Sequence, residues 1–236
     1  MSYFVFVADM SEPIVSVKTV VMEENLFFNG EKLLHYKIEY PEFRSSRYQM
    51  TLAAVNRYYA NTAEQYRRYI KTELFDMAVE QYKDAIDQGF PVRVFEALQV
   101  FEMTYNNACI LSLYVDRYTY TGGAHGSTVR SSQTWNLQKG YMIRLAQLFR
   151  CRIEPKAYIL ARVTVQIQEN PDIYFEDYPK LIDENFNENS FYCTPYGLVV
   201  YYQQYDIAPY ASGIREFLIP YDGCVTDPVK MCFPVA

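Results

Sequence analysis

The stretch SRYQMTLAAVNRYYANTAEQYRRYIKTELFDMAVEQYKDAIDQG, residues 46–89, decides the fold. Leu52, Val55, Tyr59, Ala63, Tyr66, Ile70, Leu74, Met77 and Tyr82 recur at three- and four-residue steps, the period of one helical face. Arg57, Glu64, Arg67, Lys71, Asp76, Glu80 and Asp84 fall on the other face. Ser46 and Gln49 have capping-box spacing, and Gly89 with Pro91 beyond it is a stop signal. About forty residues at about 1.5 Å each span about 60 Å, wider than a compact domain of this size, so a kink or overhang is expected. One helix cannot bury such a stripe alone. Its tyrosines therefore predict core rather than a cofactor box, and a sheet must lie against them.

The flanking sequence supplies strands. Ile14 to Phe28 leads to the turn Asn29-Gly30, after which Leu34, Tyr36, Ile38 and Tyr40 alternate with Lys37 and Glu39, which predicts a hairpin stopped by Pro41. His35 lies on its polar phase and reads as a surface strand residue. Phe95, Ala97, Gln99, Phe101, Met103 and Tyr105 alternate with Glu96, Leu98, Val100 and Glu102, and Asn106-Asn107 turns the chain into Cys109, Leu111, Leu113 and Val115. A polar strand from Val129 to Trp135 runs to a turn at Gln138-Lys-Gly140, and Met142 to Phe149 reads as a strand end or short helical turn. A second helix is predicted from about Glu154 to Ile167, a shorter one over Tyr178 to Phe186, a third hairpin around Thr194-Pro-Tyr-Gly197, and a last strand over Ile214 to Tyr221. The class is α+β: antiparallel sheets built from hairpins, packed on one long amphipathic helix and one or two shorter ones. A soft boundary near Gly89 to Val92 divides residues 1–90 from 91–236.

Composition excludes several functions. With 22 basic and 28 acidic residues the net charge is -6, so no positive field gathers nucleic acid or anionic lipid. The apolar opening Met1 to Ala8 lacks a basic flank and is too short for a signal core or a membrane span, so no membrane insertion by this chain is expected. Cys109, Cys151, Cys193, Cys224 and Cys232 are dispersed and odd in number, which argues against zinc and against a full disulfide framework. Free buried thiols are expected, with a local Cys224–Cys232 bridge as the alternative. No metal or cofactor is expected. The 24 tyrosines suit sheet and helix packing or, alternatively, an aromatic binding surface.

Two motifs carry the functional question. Tyr118-Thr-Tyr-Thr-Gly-Gly-Ala-His-Gly126 is a β-like run ending in three glycines, Gly122, Gly123 and Gly126, around His125. The glycines permit positive φ and close backbone approach. His125 is open to three roles: satisfying carbonyls in a tight bend, lining a ligand groove, or acting as a general base with Ser127 or an acid. Tyr205-Asp-Ile-Ala-Pro-Tyr-Ala-Ser-Gly213 is the second motif, in which Pro209 stiffens the chain and Gly213 ends it. Tyr205 and Tyr210 suit stacking on sugar rings or anchoring a protein; a packed loop is the alternative.

These motifs, in order with Asn136-Leu-Gln-Lys-Gly140, Leu145-Ala-Gln-Leu-Phe149 and Phe217-Leu-Ile-Pro-Tyr221, resemble a bacterial domain of unknown function. It occurs in RsiV-like lysozyme-binding anti-sigma factors and in the non-catalytic part of PdaC-like peptidoglycan deacetylases. The hairpin and long helix resemble the companion domain that precedes it. The resemblance implies a cell-envelope location, lysozyme binding in the anti-sigma versions, and deacetylase chemistry on a separate domain. A His-x-x-x-His metal set cannot be assembled from His35 and His125. The favoured function is a non-enzymatic envelope binding or sensing module for a protein such as lysozyme or a peptidoglycan glycan. Its expected surface comprises Tyr120, Gly122, Gly123, His125, Gly126, Tyr205, Pro209, Tyr210 and Gly213. The alternative is a carbohydrate-active hydrolase or deacetylase-associated enzyme using His125 with Asp116 or Asp206. No leader is visible, so a cytoplasmic location is the alternative to the envelope. The sequence does not specify an oligomeric state.

Overall fold

A computed structural model describes residues 15–232; the apolar opening Met1 to Ala8 and the first residue of the predicted hairpin, Ile14, lie outside them. The fold is α+β. Strands β1 (Ser16–Phe28) and β2 (Glu31–Arg44) form the first hairpin, followed by helices α1 (Gln49–Tyr69) and α2 (Phe75–Gln88). Then come β3 (Phe95–Asn107), β4 (Ile110–Tyr120), β5 (Ser127–Asn136) and the short β6 (Tyr141–Met142). Helices α3 (Pro155–Gln168) and α4 (Tyr178–Glu184) precede β7 (Phe191–Thr194), β8 (Gly197–Tyr202) and β9 (Arg215–Pro220). One sheet has the order β1-β2-β3-β4-β5-β6, the other β7-β8-β9.

The hairpins are antiparallel, but β2 and β3 pair in parallel, from Leu34 beside Phe95 to Ile38 beside Gln99. A parallel pair needs a long crossover, and α1 with α2 provides it. The sheet thus runs unbroken across the Gly89 to Val92 stretch. Pro41 does not stop β2, which continues to Arg44 beside β1. Past Ile38 no β3 residue pairs with β2, so one side of the buried Pro41 has no strand partner and a missing N–H is tolerated there.

The helix buries Leu52, Val55, Tyr59, Ala63, Tyr66, Ile70 and Leu74 against the sheet, each large aliphatic contributing about 1.5–3 kcal/mol. Tyr59 is core: its hydroxyl receives a bond from Trp135 Nε1 at 2.9 Å and donates to Gln133 Oε1 at 3.2 Å. The irregularity expected of so long a helix is a π-helical turn at Ile70–Leu74. It shifts the register by one residue, so Ala78 is buried and Met77, predicted for the core, is exposed. The Ser46–Gln49 capping box does not form either. α1 starts at Gln49 after Tyr48, without a side-chain cap, because buried Tyr48 reaches across to donate to the Ala108 carbonyl.

The cysteine expectation is overturned. Cys109 pairs with Cys232 and Cys151 with Cys224, leaving Cys193 as the buried free thiol. Sequence separations of 123 and 73 residues leave no local spacing signal. Folding nevertheless brings the Cα atoms to 5.7 and 4.7 Å, within bridging range.

Candidate ligand-binding surface

Side chains of β4 alternate between two faces, as a pleated strand requires. Arg117 reaches the α1 carbonyl of Thr62, while Ser112 meets Cys193 of β7 and Tyr114 lies against Tyr192. The hairpin tip between β4 and β5 holds the first motif. Gly122 has φ +85°, and a Cβ there would come within 2.9 Å of Gln81 Oε1 and 3.2 Å of Arg93 Cβ. Gln81 Nε2 also donates to the Thr121 carbonyl at 3.1 Å, tying the loop to α2. Gly126 is buried, and its Cβ would meet the Tyr118 ring at 2.4 Å. Gly123 has nothing nearer than 4.0 Å.

His125 is exposed. Its Nδ1 lies 3.0 Å from the Gly126 carbonyl and its Nε2 3.4 Å from Tyr205 Oη. The imidazole is stacked on Tyr210, with centroids 3.8 Å apart and planes at 19°. Tyr205 and Tyr210 are 5.8 Å apart. Three of the predicted residues therefore converge on one patch from loops 80 and more positions apart.

The second loop is rigidly seated. Ile207 and Ala208 are buried anchors, and the Ile207 carbonyl accepts from Phe175 N. Asp206 Oδ2 accepts from Gln203 N at 2.7 Å, and burial pushes its carboxyl above the ordinary range. Tyr205 takes positive φ, +68°, a conformation rare for a bulky residue. Gln203 and Gln204 latch the loop onto β5: Gln204 Oε1 accepts from Thr128 N at 2.7 Å, and Gln203 bonds both N and O of Arg130. This latch sets Tyr205 and Tyr210 opposite His125. Polar glutamines in no periodic pattern give no sequence signal for it.

The remaining predicted residues are spread around this patch. Pro209 is exposed and opens the short turn Tyr210–Ser212, which Gly213 closes at φ +65°. Tyr120 pairs with Glu96 at the end of β4 and does not join the aromatic trio. The two acids of the alternative reading are not brought to His125. Asp116 is gripped by Arg130, Nε to Oδ1 and Nη2 to Oδ2, both at 2.7 Å. Arg130 also pairs with Glu216, whose carboxylate accepts from Tyr192 Oη, and lies 3.6 Å from the Tyr114 ring centroid. Arg130 is the nearly buried centre of this cluster, and its bond to Glu216 links the two sheets. The partners of His125 are a carbonyl and a phenol, not a carboxylate, so the trio offers flat faces with polar rims. Among the described residues, no three His, Cys, Asp or Glu side chains are grouped to hold a metal ion.

Comparison with known proteins gives two family matches. Residues 29–128 match the model described as deacetylase PdaC, and residues 146–222 match the family of unknown function DUF3298. A DUF3298 family protein from Bacteroides fragilis has a similar crystal structure, with TM-score 0.67, 19% identity, and coverage of 92% of this chain and 96% of that one. A DUF3298 family protein from Pseudomonas aeruginosa is also similar, with TM-score 0.58, 15% identity, and coverage of 91% and 96%. No curated protein matches the chain.

Proposed function

We propose that this chain is a non-enzymatic, extracytoplasmic binding module that recognises a cell-wall glycan or a protein such as lysozyme. The recognition surface is the aromatic patch of His125, Tyr205 and Tyr210. The observation that carries this reading is the stacking of His125 on Tyr210 beside Tyr205, with no carboxylate bonded to the imidazole. Preorganised aromatic faces lose little entropy on binding, and their polar rims suit sugar hydroxyls or peptide groups. A catalytic histidine is commonly backed by a carboxylate that stabilises its protonated form, and none is bonded to His125. Two disulfides favour an oxidising compartment, and the match to the PdaC model supports the same location. No described helix is long and apolar enough to cross a membrane.

The test is calorimetry of the protein with lysozyme and with muropeptides, with mass spectrometry of the glycans after incubation. A stoichiometric complex without new products, weakened by Tyr210→Ala, is expected. Glycan turnover abolished by His125→Ala overturns the binding-module reading in favour of a carbohydrate-active enzyme.

A further inference from the structure

The helix side of the β4–β5 hairpin carries a separate feature. A groove of about 500 Å³ runs between α1 and the ends of these strands, lined by Gln65, Tyr66, Tyr69, Arg117, Thr119 and Ser127 among others. Arg117 is half-buried in its wall. Its Nε donates to Gln99 Oε1 at 2.8 Å and its Nη2 to the Thr62 carbonyl at 3.3 Å, both neutral acceptors. Its guanidinium lies 4.4 Å from the centroid of Tyr66.

Among the described residues no carboxylate pairs with Arg117. The adjacent acid, Asp116, projects from the opposite face of β4 into Arg130. Burial holds the Arg117 guanidinium below the ordinary arginine range, offset only in part by the neighbouring phenols of Tyr66 and Tyr58. Charges withdrawn from water are normally matched by an opposite charge, and a guanidinium fork is shaped for a carboxylate. An acidic chain with six more acids than bases has left this cation unmatched at the edge of a groove. Beside it Tyr69 is 39% exposed and stacked on Tyr66 with planes at 13°. The rim carries Ser127, Gln65 and Thr119, whose hydroxyl lies 3.3 Å from Tyr66 Oη. Cation, flat ring and hydroxyl partners together match one chemistry.

We propose that this groove binds a carboxylate-bearing sugar, its carboxylate on the Arg117 guanidinium and its ring face against Tyr69. The site uses none of the residues of the aromatic patch and stands or falls separately from it.

The test is an NMR titration of the whole chain with glucuronate, glucose and acetate at equal concentration and ionic strength. Glucuronate is expected to shift the Gln65 and Thr119 amide signals saturably, acetate more weakly and glucose not at all. Arg117→Gln should weaken glucuronate binding roughly tenfold or more, the loss of a charge-assisted pair. Because Arg117 also braces Gln99 and Thr62, Tyr69→Ala provides an independent arm: glucuronate affinity falls several-fold while the acetate response is retained. The proposal is overturned if glucuronate gives no saturable shift, if glucose or acetate binds as tightly, or if folded Arg117→Gln or Tyr69→Ala binds glucuronate as the unaltered protein does.

Discussion

Arg130 holds both oxygens of Asp116 beneath the ring of Tyr114, with the Arg130 side chain only 9% exposed. Removing one partner of such a pair strands the other charge away from water, which costs about 3–5 kcal/mol. Glu216 remains as a second acid for Arg130, so Asp116→Ala is expected at the lower end, near 3 kcal/mol. Urea unfolding followed by tyrosine fluorescence measures it. A change under about 0.5 kcal/mol, as at an ordinary surface site, would show that the pair does not hold β4 to β5.

Gly126 and Gly123 should respond differently to the same substitution. Gly126→Ala drives a methyl into the Tyr118 ring and is expected to cost about 1–3 kcal/mol. Gly123→Ala meets nothing within contact distance and should stay within about 0.5 kcal/mol of the unaltered protein. In a Tyr118→Ala background the Gly126→Ala penalty should largely vanish, a coupling that a double-mutant cycle reads directly.

Thiol counting checks the cysteine pairing. Burial pushes the Cys193 thiol up to about 12, so the folded, unreduced protein should show no rapid reaction with a thiol reagent. Unfolding without reductant should expose one thiol, Cys193, and unfolding with reductant all five. Cys232→Ser opens the loop of 123 residues and should cost about 5 kcal/mol in the chain-entropy account.

The pH dependence should carry a mark of Asp222. Hydrogen bonds from Tyr158 Oη and from the amides of Val225 and Cys224 hold its carboxyl below the usual carboxylate range. A lowered carboxyl stabilises when ionised, so its contribution is present above the unfolded value of about 4 and lost as the pH falls through the lower folded value. The stability gap between the unaltered protein and Asp222→Asn should be constant from about pH 7 to 5 and narrow below about pH 4. A gap that widens on acidification would contradict this role.

Local chemistry was legible wherever neighbours in sequence are neighbours in space. The alternation of Leu34, Tyr36 and Ile38 and the three-four stepping of Leu52, Val55 and Tyr59 both mark buried faces. The π turn was written less visibly. Tyr66, Ile70, Leu74, Ala78 and Tyr82 stand four apart, a wider step than the 3.6 of an α-helix, but alanine is too small to be scored as core against Met77. Both loop motifs could be singled out from their glycines, prolines and tyrosines. Their meeting depends on Gln203 and Gln204 gripping β5, and nothing in a glutamine pair predicts a partner more than 70 residues away. The isolation of Arg117 was equally invisible, since it follows from which side of β4 its neighbour Asp116 occupies.

The two disulfides are nested, Cys151–Cys224 inside Cys109–Cys232. On a chain synthesised from its N-terminus, Cys109 and Cys151 appear long before either correct partner. At that stage an oxidant can pair Cys109, Cys151 and the later Cys193 only among themselves, and any such bond must be undone before the native pairs form. Correct maturation therefore depends on timing: the first two thiols must stay reduced, or be reshuffled by an isomerase, until residues 224 to 232 have arrived.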